Sequence, residues 1–164
     1  MKVRTALAFL AAVAVATAAA AQTKQTGTAQ CGKGNPEQMI EVGDKPNHFM
    51  GVSKSTCTWT TPMDTEGLKS KDGYSVAAID ATGNNSSSHG VHVSTMDNGD
   101  KIYVKFQGNG TSKDGATQTD SGKWSYTGGT GKLKGIKGGG TYKGKGNPDG
   151  SVTYEIAGEY TVGK

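Results

Sequence analysis

Glycine sets the terms for this chain. All 26 glycines fall between Gly27 and Gly163. At that density helices are disfavoured, because a glycine in a helix interior costs about 1 kcal/mol relative to alanine. The residues between the glycines have no helical period either; they alternate. Ile102, Val104 and Phe106 share one side of a run whose other side is Tyr103, Lys105 and Gln107, and Val152, Tyr154 and Ile156 oppose Thr153 and Glu155 in the same way. Weaker alternation runs from Phe49 to Trp59, Tyr74 to Ala81, Val91 to Met96 and Gly122 to Tyr126. A period of two marks half-buried strands.

Turn chemistry separates these runs. Asp97-Asn98-Gly99-Asp100 sets Asn-Gly between two alternating segments, a strong hairpin signal, and Asn147-Pro148-Asp149-Gly150 does the same before the last run. Asn84 to Ser88 reads as a polar loop, and residues 22–36 as an irregular N-terminal segment. The expected fold is all-β: a small, closed antiparallel β-barrel of about eight strands over residues 37–164. Gly135, Gly138, Gly139, Gly140, Gly144 and Gly146 crowd one stretch. Glycines inside strands supply the bends that close a small sheet, and closure removes its edges.

Residues 1–21 read as a signal peptide. Met1-Lys2-Val3-Arg4 is a basic start, an apolar run extends to about Ala16, and Ala19-x-Ala21 is an A-x-A cleavage site that leaves Gln22 first. The apolar run falls short of the ~20 residues that span a bilayer. We therefore expect export to the periplasm or the medium, with no stable membrane anchor. Cleavage removes Lys2 and the only arginine, Arg4, leaving sixteen lysines against fourteen acids, a balance of +2. Lysines spread among acids, with no arginine, argue against nucleic acid as a partner. Cys31 and Cys57 are the only cysteines; in an oxidising compartment they are expected to pair, and two such cysteines are too few for a metal site.

No catalytic motif emerges. There is no G-x-S-x-G elbow and no S-x-x-K pair. Gly139 to Lys145 fits G-x-x-x-x-G-K, but Gly146 stands where a P-loop needs Ser or Thr for magnesium. His89 and His92 lie three apart, on opposite faces of a strand, so they are not expected to share a metal. Nothing implies a cofactor, and nothing among Asp72, Asp80, Glu155 and Glu159 selects a catalytic pair.

The segment Tyr126-Thr127-Gly128-Gly129-Thr130-Gly131-Lys132-Leu133-Lys134-Gly135-Ile136-Lys137-Gly138 resembles the G-T-G-x-[LF]-x-G-[IA]-x-G signature of allene oxide cyclase-like barrels. That group includes plant cyclases, dirigent proteins and many bacterial secreted proteins. The likeness covers the C-terminal quarter of the chain through its motif and the rest through its pattern. It implies an eight-stranded antiparallel barrel with an apolar cavity, often a trimer. The matching residues concern turn and strand geometry, so the resemblance assigns no catalytic residue here.

The inward set on this reading is Ile102, Val104, Phe106, Val152, Tyr154 and Ile156. They either fill the barrel or line a pocket, as do the strand aromatics Trp59, Trp124, Tyr126, Tyr142 and Tyr160. The expected function is a non-catalytic exported barrel that binds a small apolar ligand or serves at the cell envelope or surface. The alternative is an isomerase or cyclase of the allene oxide cyclase type acting on a lipid-derived or aromatic substrate. A filled lumen removes both pocket readings; an open lumen with a buried acid or tyrosine beside it raises the enzyme reading, and an open, wholly apolar lumen puts binding first.

Overall fold

The computed structural model describes residues 22–163, so the signal peptide and its cleavage site lie outside the described residues. Ten strands follow one another: β1 (Thr23–Cys31), β2 (Glu37–Glu41), β3 (His48–Thr61), β4 (Asp64–Thr65), β5 (Leu68–Thr82), β6 (Asn85–Met96), β7 (Lys101–Lys113), β8 (Ala116–Gly129), β9 (Ile136–Gly146) and β10 (Val152–Val162). A single 3-10 turn, Gly131–Leu133, joins β8 to β9. Eight strands close a circuit in the order β1, β10, β9, β8, β7, β6, β5, β3 and back to β1, every pairing antiparallel.

The N-terminal segment corrects the sequence reading. Residues 23–31 are not irregular but form a full barrel strand, paired with β10 on one side and β3 on the other. Its inward residues are Gln25, Gly27, Ala29 and Cys31, which are small or polar and so carry no apolar alternation. β2 then continues along the same edge of β3, from Glu37 opposite Ser53 to Glu41 opposite Phe49. Asn84 to Ser88 is likewise largely strand: Ser86 and Ser88 face inward on β6, where serine leaves no hydrophobic signal.

Both predicted turns form. Gly99 (φ +88°) closes the β6–β7 hairpin and Gly150 (φ +81°) the β9–β10 hairpin, each donating its N–H back at 3.0 Å, to the carbonyls of Met96 and Asn147. Cys31 and Cys57 stand directly opposite on β1 and β3 and are joined by a disulfide.

The barrel has a floor and a belt. Leu133 is fully buried among Leu68, Met96, Ile102, Ile136 and Tyr160, sealing one end. Above it, Met63, Trp124 and Tyr142 pack with Trp59, Phe106, Tyr126 and Ile156. The glycines make this belt possible. A Cβ on Gly90 would stand 2.8 Å from the Phe106 ring, one on Gly158 2.5 Å from Trp124, and one on Gly27 2.7 Å from Trp59. These three rings thus each lie over a glycine of a nearby strand, an arrangement that fills the gap a glycine leaves in a sheet.

Candidate functional site

The belt does not fill the barrel. A cavity of about 380 Å³ extends from Ile102 at the floor to Asp114 and Gly115 in the β7–β8 turn, Gly150 in the β9–β10 turn, and Lys33. This is at the small end of the range for ligand pockets. All six residues of the inward set, Ile102, Val104, Phe106, Val152, Tyr154 and Ile156, line it. Strand alternation places them there, because every second residue of β7 and β10 turns inward.

A polar group crosses one wall of this cavity. Asp120, Gly144 and Tyr154 stand opposite one another on β8, β9 and β10. The Tyr154 ring crosses over Gly144, and its hydroxyl donates to Asp120 Oδ2 at 3.0 Å. Burial raises the Asp120 carboxyl above the usual range, opposed by the hydrogen bond from Tyr154 and by the backbone N–H of Ser121. Burial and the neighbouring Asp120 charge push the Tyr154 and Tyr142 phenols up, so both are neutral donors at physiological pH. The Tyr142 hydroxyl lies in the space left by Gly108 and Gly122 and is buried without a partner in hydrogen-bonding geometry.

His92 belongs to the same cavity. Its Nδ1 meets Ser75 Oγ at 2.9 Å, while Nε2 is buried over Gly73 with no partner. Burial lowers its pKa to about 4, so the ring is neutral at pH 7. Trp59 Nε1 donates to Ser94 at 3.1 Å and Trp124 Nε1 to the Thr141 carbonyl at 3.2 Å. At the lower rim the Tyr126 hydroxyl accepts from Gln25 Nε2, whose own Oε1 accepts from Thr65 at 3.1 Å. Tyr126 is pushed up to about 12 by burial.

The sequence places the apolar rows in the barrel and the two histidines of the pair on opposite faces, but nothing in it marks Asp120 or the inward serines of β3, β5 and β6. Asp120 sits in a stretch of Thr, Ser and Gly, where nothing marks the inward parity. The histidine pair divides between faces, His89 exposed outside and His92 inside. His48 lies elsewhere, between Asp44 and Asp80, with Nε2 3.1 Å from Asp80 Oδ1. Among the described residues, no three His, Cys, Asp or Glu side chains are placed to hold a metal ion. Asp100 is occupied in the β8–β9 connection, accepting from Lys132 N at 3.2 Å and Thr130 Oγ1 at 3.4 Å.

With respect to known proteins, no family model matches this chain, and no curated protein matches it.

Proposed function

We propose that this is an exported barrel that holds one small, largely apolar ligand in its lumen. The observation that carries the reading is the unfilled cavity, walled by aromatic and aliphatic side chains on one side and by inward serines of β3, β5 and β6 on the other, and closed below by Leu133. An eight-stranded barrel has room for one small ligand when its side chains leave the interior open, and a solid barrel has none. The disulfide between Cys31 and Cys57 supports export, since such bonds persist in oxidising compartments. The likeness to allene oxide cyclase-like barrels supports the same reading and adds a trimer. An outward apolar row, including Ile40, Met50, Val52, Val76 and Val91, suits contact with further copies of the chain.

A second reading, an isomerase or cyclase on a lipid-derived or aromatic substrate, is favoured by one specific feature: Asp120, a buried acid hydrogen-bonded to Tyr154 beside the lumen. Such a group suits proton transfer to or from a bound substrate. Native mass spectrometry of protein purified from its own host tests both binding and assembly. The expected result is a small-molecule adduct on an oligomer. A ligand-free monomer would count against the binding and trimer readings together. A bound molecule converted to an isomer by the wild type, and not by Asp120→Asn, would decide for the enzyme.

A further inference from the structure

The lumen carries an asymmetry of charge as well as of polarity. The acids facing it are Asp120 in the wall and Glu37 and Asp114 towards the opening. Lys33, beside them, is the one cation among the lining residues, and the neutral His92 adds no positive charge. Deeper, beside the aromatic belt, stand a carboxylate that takes hydrogen bonds and a tyrosine hydroxyl with none. Ser88 lies on β6 opposite Gly108, next to that hydroxyl.

We infer that the lumen selects an uncharged ligand bearing a hydroxyl group and rejects carboxylates. The hydroxyl lies between Asp120, Tyr142 and Ser88, and the apolar body lies against Phe106, Trp59 and Trp124. This inference rests on the lumen being a binding site, and it fixes the chemistry of what enters. A hydroxyl both donates to Asp120, which already accepts from Tyr154, and accepts from Tyr142, giving that hydroxyl the partner it lacks. A carboxylate brings a second negative charge against Asp120 into a low-dielectric space and offers no donor. An ether of the same length accepts but cannot donate. A hydrogen bond to a buried charged group is stronger than a neutral one, which makes the missing donor felt.

The test compares three probes built on an unbranched eight-carbon chain: 1-octanol, octanoate and octyl methyl ether. Trp59 and Trp124 are the only tryptophans in the chain and both line the cavity, so intrinsic emission reports entry of these transparent probes. At pH 8 the disulfide-bonded protein is expected to bind 1-octanol about tenfold or more tighter than either of the others. Asp120→Asn is expected to bring octanoate closer to 1-octanol, and Tyr142→Phe to weaken 1-octanol while leaving octanoate unchanged. If no probe shifts the emission, the lumen is not a binding site, and the reading beneath this inference fails. If octanoate binds tightest, the head group sits on Lys33; if all three bind alike, no head group is read. Either result overturns the hydroxyl selectivity and leaves the binding site standing. An octanol-to-octanoate ratio unchanged in Asp120→Asn also overturns it. The wild-type ratio alone decides should that variant fail to fold.

Discussion

The Tyr154 hydroxyl reaches the Asp120 carboxylate at 3.0 Å from two strands away, because the residue between them, Gly144, has no side chain to block the ring. A methyl group at Gly144 would stand 2.6 Å from Tyr154 Cε1 and 3.1 Å from Val152 Cγ1. Gly144→Ala is therefore expected to destabilise the barrel by about 1–3 kcal/mol, the usual range for overpacking, measured by denaturant unfolding. The cost should shrink clearly in a Tyr154→Leu background, where the ring no longer occupies that space. An equal cost in both backgrounds would show that Gly144 is there for another reason.

The motif that carries the family resemblance has a mechanical task. Thr130-Gly131-Lys132-Leu133 turns the chain across the end of the barrel, and Asp100 holds that turn through Lys132 N and Thr130 Oγ1. The turn delivers Leu133 into the floor with no exposed surface. Leu133→Ala removes the plug and is expected to cost about 2–5 kcal/mol. Lys132→Ala, one residue away and outward, should stay within about 0.5 kcal/mol of the wild type. Equal thermal denaturation midpoints for the two variants would contradict the floor assignment.

Much of this barrel is legible wherever its inward rows are apolar. β7 and β10 declare their parity through Ile102, Val104, Phe106, Val152, Tyr154 and Ile156, and both Asn-containing turns form where their residues place them. Legibility fails where the interior is made of small or polar residues. β1 turns Gln25, Gly27 and Ala29 inward, and β6 turns Ser86 and Ser88 inward, so neither gives a hydrophobic period. The polar group of the cavity is hidden for a related reason. Asp120, Tyr142 and Tyr154 come from three strands, and only the register through Gly144 and Gly122 brings them together. Glycine density reads as bends in the sequence; in the fold several of the glycines, among them Gly27, Gly90, Gly144 and Gly158, also leave room for rings on nearby strands.

The disulfide ties β1 to β3 at the end of β1, across a loop of 26 residues. Loop-closure entropy for that length amounts to about 3–4 kcal/mol. Reduction, or the paired change Cys31→Ala with Cys57→Ala, should lower the unfolding free energy by roughly that amount. Because β1 is also held by nine residue pairs with β10, the reduced protein is expected to keep its far-ultraviolet strand spectrum at room temperature. Loss of that spectrum on reduction would mean the strand depends on the bond.

Two histidines give the barrel opposite responses to pH. His48 donates to Asp44 and Asp80, and those hydrogen bonds, Asp44 first, raise its pKa above the ordinary 6.5. Its stabilisation is complete below about pH 6.5 and is lost as pH rises through the higher folded value. His92 is lowered to about 4 by burial. The unfolded chain binds a proton between about pH 6.5 and 4 that the folded chain refuses, so this contribution is complete above that window and drains away as pH falls through it. The slope cannot exceed about 1.4 kcal/mol per pH unit, the limit for one proton. Urea unfolding of His92→Gln against the wild type should show a stability difference that narrows from pH 7 to pH 4. The difference for His48→Gln should instead narrow as pH rises from about 6.5. If the His92 difference is flat across its window, the ring is reached by water and its neutral state is not what the fold requires.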